Sequence, residues 1–335
     1  MRLISLLFTL VYLAYGATEL KIATYNVENL FDLEKEGYKY KEYKPNTKSL
    51  WNKKNYTIKL NNIARVIKDI DADIIGLQEI HSLTALKDLR LTLKRKGLYY
   101  KYYSIADKKP TAIKVAFLSK IPFVYSKEVQ VNYSYRYRNI LESKFKVNNQ
   151  IFYIFNNHWK SKSGPESMRV YSAKVLRKRI AQIGFDKNII LLGDFNSHYE
   201  ENKLFIKKRR HNDTNGKTGI NDVLRTKGQK TRASQVKYAK NSFYNLWYDT
   251  DNAKRYSYIF RGKKEALDNI LISQSLLNEK NMYYKKNSIR NLSLKYMFYK
   301  KNNIYRWQVS HGKIKKHKGK GYSDHLPVSA SFIVK

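Results

Sequence analysis

Six short segments of this chain place an acid, an amide or an imidazole beside an apolar run. They are Thr24-Tyr25-Asn26-Val27-Glu28-Asn29, Leu77-Gln78-Glu79, Asn157-His158-Trp159-Lys160, Gly193-Asp194-Phe195-Asn196, Leu267-Asp268-Asn269 and Ser323-Asp324-His325. Hydrolysis of a phosphodiester needs an in-line water, neutralised phosphoryl oxygens and a proton for the leaving oxygen, and protein groups around a divalent metal supply all three. Glu79 follows an apolar strand, and a carboxylate there is a hard oxygen ligand for Mg²⁺ or Ca²⁺. Asp194 and Asn196 stand two apart, so extended backbone turns both to one side. Like charges 4 Å apart repel by about 4 kcal/mol at an effective dielectric near 20. Convergence of Glu79, Asp194 and Asp324 would therefore call for a cation.

The elements that must position these groups are legible from periodicity. Leu20 to Val27 alternates as a half-buried strand. Leu60, Ile63, Ala64 and Ile67 share one helical face, and Leu83 to Lys96 reads as a second helix closed by Gly97. Asp73 to Leu77 is a short buried strand delivering Gln78 and Glu79. Strands are expected over 115–118, 123–131, 140–147 and 151–155, with Asn148-Asn149 as a tight hairpin turn. A helix over 167–183 precedes a buried strand over 188–192. The last strands fall at 256–260, 269–272 and 328–333. Residues 200–242 are polar and basic, with a helix expected only as far as Arg210. His311 to Gly321 reads as a mobile basic loop bringing Lys313, Lys315 and Lys316 close to the last motif. Helices interleaved with hairpins argue for packed layers.

These segments, in this order, resemble the endonuclease/exonuclease/phosphatase superfamily, which includes deoxyribonuclease I, the apurinic endonucleases, the neutral sphingomyelinases and the inositol-polyphosphate phosphatases. The resemblance implies an α/β (α+β) fold, a four-layer α/β/β/α sandwich of two packed mixed sheets. It implies Glu79 as principal metal ligand, Asn26 touching metal or phosphate, Glu28 as a second candidate ligand and Asp324 as a further acid beside the metal. Asp194 would orient or deprotonate the water, with Asn196 positioning water and phosphate. His158 and His325 would contact the scissile phosphate, Asp268 would hold the His325 imidazole, and Lys160 and Arg169 would bind phosphates nearby. One departure stands out. In deoxyribonuclease-like members an acid from the preceding hairpin supports the first histidine, and Thr111-Ala112-Ile113-Lys114-Val115 has none. His81, His198, His211, His311 and His317 match no motif and are expected at the surface.

Composition narrows the partner. The 335 residues carry 66 Lys+Arg against 27 Asp+Glu, a formal net charge of +39. Such a field draws in polyanions, and nucleic acid, above all DNA, is the expected partner. The run Tyr133-Ser134-Tyr135-Arg136-Tyr137-Arg138 alternates aromatic and basic groups, which suits either base stacking or a strand with one packed tyrosine face. Met1-Arg2 followed by apolar Leu3 to Leu13 and Ala14-Tyr15-Gly16 has the pattern of a secretory signal. The expectation is a signal over 1–16, one domain over 17–335, a secreted or periplasmic monomer and no stable membrane association once the signal is removed. The chain has no cysteine, unlike the disulfide-bonded animal deoxyribonucleases. The reading is a Mg²⁺-dependent nuclease (Ca²⁺ or Mn²⁺ also fit), cutting DNA with little sequence preference. The alternatives are a sphingomyelinase-type or other phosphodiesterase, or a non-catalytic basic nucleic-acid-binding module.

Overall fold

The computed structural model describes residues 16–34, 40–205, 211–226, 240–300 and 303–335. Residues 1–15 of the expected signal segment and the end of the helix expected as far as Arg210 lie outside them. The main strands follow in chain order: β1 (Thr18–Leu30), β2 (Ile74–Ile80), β3 (Tyr102–Ile105), β4 (Lys114–Ser119), β5 (Phe123–Val129), β6 (Ile140–Val147), β7 (Gln150–His158), β8 (Asn188–Asp194) and β9 (Phe243–Asn245). After these come β10 (Tyr258–Phe260), β11 (Lys263–Glu265), β12 (Asp268–Ser273), β13 (Met282–Tyr284), β14 (Arg290–Asn291), β15 (Phe298–Tyr299), β16 (Asn303–Ile304) and β17 (Val328–Val334).

One sheet runs β13-β17-β1-β2-β4-β3, and β14 also pairs with β17. The other runs β5-β6-β7-β8-β12-β9. Both are mixed: β1–β2 and β7–β8 are parallel, whereas their neighbours run antiparallel. The sheets pack face to face over one apolar cluster that includes Ile22, Ile74, Phe117, Phe152, Ile190, Leu192, Ile270 and Phe332. A second cluster lies under α1 (Lys53–Ile70) and α2 (Leu83–Arg95), and a third under α3 (Glu166–Ile183). The result is the α/β/β/α sandwich.

The helix limits follow local chemistry. Asn52 and Ser82 cap α1 and α2 by accepting from the backbone N–H of Asn55 and Ala85, the usual N-terminal solution. The Asn148-Asn149 hairpin turn has positive φ at both residues, 45° and 62°, as its tight turn requires. Between the sheets sits a buried amide network. Gln78 donates to Thr24 and to Asn156, and Asn156 donates in turn to the carbonyls of Leu77 and Ala116. A satisfied buried network specifies a unique register, and this one locks β2 against β7 directly beneath the strand ends that carry Glu79 and His158. Among the described residues no helix is long and apolar enough to cross a membrane.

The stretch His311 to Gly321 is folded rather than loose. His317 is 3% exposed, not a surface residue. Its Nδ1 accepts from the Trp307 indole, its Nε2 lies 2.8 Å from the Glu42 carbonyl, and its backbone N–H donates to the Ser49 carbonyl. Burial pushes the His317 imidazole down to about 4 from an ordinary 6.5, and it pushes His198, also placed at the surface by the sequence reading, down to about 4 as well. The unfolded chain then binds protons between pH 6.5 and 4 that the native state refuses, so stability falls as pH falls through that window. His317→Gln should therefore lose less Tm than wild type as pH falls across it. Parallel pH profiles for the two proteins would contradict the assignment.

Candidate active site

The catalytic candidates meet where the strand ends of both sheets converge. In the second sheet, pairing puts His158 beside Asp194 across β7–β8, and Asp268 beside Asp194 across β8–β12. Three groups from distant segments thus share one row. Gly193 makes the row possible. Its φ is +130°, and a Cβ there would lie 2.0 Å from the Asn157 carbonyl oxygen. Gly193→Ala should destabilise the fold by about 3 kcal/mol, the upper end of ordinary substitutions, read as a shift in denaturation midpoint. An unchanged midpoint would mean that the backbone contact is looser than this geometry.

In the first sheet, irregular pairing interrupts β1–β2 between Asn26 and Leu30 and β2–β4 between Gln78 and Ile80. Bulges re-aim side chains at such points. Glu79 and Glu28 both have positive φ, 68° and 50°, a conformation rare for bulky residues. Glu79 Oε2 accepts from the Asn29 backbone N–H at 2.9 Å. The Asn26 amide bridges the sheets, donating to Glu79 Oε1 at 3.3 Å and to Asp194 Oδ2 at 3.1 Å, while its carbonyl oxygen accepts from Glu28 N–H.

Asp194 is the centre of this arrangement. Its carboxylate accepts from the Asn196 backbone N–H at 2.8 Å and side-chain amide at 3.1 Å. His158 Nε2 stands 3.5 Å from Asp194 Oδ2 and 3.7 Å from Glu79 Oε1. His325 Nδ1 lies 2.7 Å from Asp268 Oδ2, and its Nε2 faces Asp194 at 4.0 Å and Asp324 at 3.9 Å. Ser323 fixes this last turn by donating to the Asn26 carbonyl and accepting from His325 N–H. Tyr258 packs its ring 4.8 Å from that of His325.

Electrostatics separates the two histidines. Burial opposes charge on His325, but the carboxylates of Asp268, Asp194 and Asp324 override it and hold the imidazole well above its ordinary range. His158 has no such support. Burial, then repulsion from Arg138 and His325, hold it well below, and among the described residues its buried Nδ1 has no hydrogen-bond partner. The stretch 111–115 indeed supplies no acid to it. Burial also raises the carboxyls of Glu79 and Asp194, with repulsion from Asp324 adding to the first and from Asp268 to the second.

Some expected site residues stand elsewhere. Arg169 is 1% exposed. It pairs with Glu166 at 2.6 Å and donates to the carbonyls of Lys160 and Ser161, so it braces the loop after β7 instead of facing a phosphate. Glu28 is held by Arg306 at 2.5 Å and by the Trp307 backbone N–H at 2.9 Å, which occupies both its oxygens and removes it from the ligand set. With both ends of its amide engaged, Asn26 acts here as a bridge between acids. Lys160 is partly exposed beside the site, and Lys313, Lys315 and Lys316 are exposed on the segment anchored by His317. His81 is buried, stacked 4.5 Å from Phe31 with Asp32 3.2 Å from its Nδ1.

Sequence reading missed other neighbours. Arg306 also reaches Asp324 at 3.5 Å. Arg138 donates to the Trp159 carbonyl at 2.9 Å and acts electrostatically on Glu79 and His158. Buried Lys59 donates to the Tyr322 carbonyl, and burial lowers its ammonium to about 8 despite the nearby Glu28, Asp324 and Glu79. Arg138 closes the aromatic–basic run and could have been weighted by that position. Lys59 sits on the buried face of α1, one position from the apolar stripe, and carries no signal of its own.

The donor set fits a hard divalent cation of the Mg²⁺ kind. Among the described residues, no three acids or histidines close into an all-protein cage. Mg²⁺ is held by one or two carboxylates, with water and substrate phosphate completing its shell. Glu79 and Asp324 are the carboxylates available for that, and a cation would offset both the burial and the Asp324 repulsion that raise the Glu79 carboxyl.

Solved structures share this architecture. An endonuclease/exonuclease/phosphatase family protein of Bacteroides thetaiotaomicron matches with a TM-score of 0.57 at 16% identity, covering 96% of this chain and 100% of that one. D. rerio TDP2 complexed with a single-strand DNA product matches with a TM-score of 0.57 at 14% identity, over 94% of this chain and 99% of that one. A B. thetaiotaomicron mannosyl-6-phosphatase matches with a TM-score of 0.56 at 16% identity, over 93% and 99%. These likenesses establish the fold. No curated protein matches the sequence. A model of the endonuclease/exonuclease/phosphatase family matches residues 21–334. With that match spanning nearly the whole sequence, and the two-sheet sandwich beneath it, the chain belongs to the endonuclease/exonuclease/phosphatase family, whose members hydrolyse phosphoesters and generally use divalent metals.

Proposed function

We propose that this protein is a Mg²⁺-dependent phosphodiesterase that cleaves DNA endonucleolytically with little sequence preference, with Mn²⁺ or Ca²⁺ as substitutes. The observation that carries the reading is the single row His158–Asp194–Asp268 with His325 seated on Asp268 and Glu79 facing it from the other sheet. The net charge of +39 supports a polyanionic substrate over a small phosphomonoester, and a structural neighbour is recorded with a DNA product. Export through residues 1–16, a single domain over 17–335 and a monomeric state are part of the same proposal.

Each group has a task that its surroundings suit. A divalent ion on Glu79 and Asp324 would neutralise the phosphoryl oxygens and acidify water. Asp268 holds His325 Nδ1, so Nε2 points into the site as a donor to a phosphoryl oxygen; such a carboxylate partner fixes the tautomer and orientation. Asp194, oriented by both Asn196 donors, accepts a hydrogen from the attacking water. Asn196 also donates to the Trp159 carbonyl, which ties its position to the loop carrying Lys160. His158 contacts the phosphate or leaving oxygen from the opposite side.

The test is purified protein on supercoiled plasmid, linear duplex, RNA, sphingomyelin vesicles and mannose 6-phosphate, each with Mg²⁺ or EDTA. Nicking of the plasmid in Mg²⁺ alone is expected. Hydrolysis confined to the vesicles or the monoester would replace this reading with another phosphoesterase of the family. Within the site, His158→Ala should cost less turnover than His325→Ala, because among the described residues no carboxylate supports Nδ1 of His158. Equal losses would refute that ranking.

A further inference from the structure

A cavity of about 640 Å³, within the range of small-ligand pockets, is lined by none of the acids of the site. One wall comes from residues 41–49 and the other from residues 313–315. Lys41, Lys44 and Lys48 face Lys313 and Lys315 across it, with Ile314 between the latter two. All five lysines are exposed. Glu42 is the acid in the lining, 3.4 Å from Lys315, and an exposed pair at that distance holds its partners weakly. The cavity is therefore strongly positive.

The walls are held rather than adventitious. They come together from positions about 270 residues apart because His317 bonds to Glu42 and Ser49 on one side and to Trp307 on the other. Tyr43 and Trp51 pack their rings against that imidazole at 4.8 and 4.7 Å. Thr47 braces its own turn through the Lys44 carbonyl at 3.0 Å. The cavity also adjoins the catalytic cleft. The link is Trp307, whose indole donates to His317, the anchor of the cavity walls. Trp307, beneath the cavity, donates its backbone N–H to Glu28.

We propose that this cavity is a second nucleic-acid contact, which takes a sugar-phosphate unit of the strand several positions from the cleaved bond. The lysines neutralise its phosphate. Ile314, 48% exposed, offers apolar surface to the sugar or base. The proposal rests on the nuclease reading, since it assumes a polymeric substrate running out of the cleft. It makes the enzyme a reader of substrate length: a chain long enough to span cleft and cavity gains contacts that a dinucleotide cannot reach.

The experiment is binding of a fluorescently labelled 20-base-pair duplex in EDTA, with anisotropy followed across salt concentrations, so that affinity is read without cleavage. The variant is Lys41→Gln/Lys44→Gln/Lys48→Gln, and the control is Lys178→Gln/Lys280→Gln/Lys286→Gln, three exposed lysines outside the cavity. Each lost phosphate contact lowers the slope of log affinity against log salt by about 0.9, so the cavity variant should lose up to ~2.7 in slope and the control far less. Lys48→Gln alone should shift the slope in the same direction by about 0.9. Equal slopes for cavity variant and control overturn the proposal, as does a wild type that does not bind the duplex. If binding behaves as expected but no nucleic acid is cut in Mg²⁺, the nuclease reading falls, and with it the cavity's place along a cleaved strand, while the contact of these lysines with duplex stands.

Discussion

His325→Ala should lower turnover on DNA by roughly 10²–10⁴-fold, the usual range when a positioned acid–base group is removed, while Tm changes little. The argument is geometric. His325 is the one imidazole in the row with a carboxylate on Nδ1, and that partner leaves Nε2 as the group facing Asp194 and Asp324. His158, the other imidazole, is held neutral by burial, so it cannot take over as a charged donor. Asp268→Asn should reproduce much of the loss without removing the ring, because the amide no longer stabilises the imidazolium. Rescue of His325→Ala by free imidazole would mark a missing side chain rather than a disturbed fold. If His325→Ala retains near wild-type turnover, the role assigned to the Asp268–His325 pair is wrong.

Chelation should have an effect at least as large. In excess EDTA, cleavage should fall below detection, and Mg²⁺ should restore it. Glu79→Gln should weaken the metal dependence itself, moving the Mg²⁺ concentration for half-maximal rate upward before it abolishes turnover. The reasoning is that Glu79, Asp194 and Asp324 repel one another and that burial raises the first two. A cation removes that cost, so binding should also raise Tm in proportion to ligand affinity. A Tm unmoved by millimolar Mg²⁺, together with EDTA-resistant cleavage, would contradict a metal site at Glu79.

Much of the fold was legible because period-2 and period-3.6 patterns survive in the sheet and helix interiors. The strand over 140–147 and the apolar face of α1 appear in the structure as expected. The four layers came from the resemblance, since nothing in a strand's own pattern states which sheet it joins. The site motifs lie at strand ends, where a short apolar run followed by a polar residue is visible locally. What was not legible is pairing over distance. One miss was local: the resemblance implied Arg169 as a phosphate contact, but Glu166, three residues earlier on the same helix, turns it inward. Glu28 looked like a ligand until Arg306, 278 residues later in the chain, claimed it. His317 sits in a lysine-rich stretch with every mark of exposure, and only Trp307 and the loop around Ser49 bury it. Contacts of this kind leave no periodic trace.

The most direct measurement of the central claim is nicking of supercoiled plasmid in Mg²⁺ by wild type and Asp194→Asn side by side, with folding checked by Tm. Asp194 is the group on which both sheets converge, and the asparagine keeps its shape while removing its charge. The account predicts that wild type converts the plasmid to open circles and that Asp194→Asn does so at least ~10²-fold more slowly. Equal nicking by the two proteins, or no nicking by wild type under any divalent cation, would contradict it.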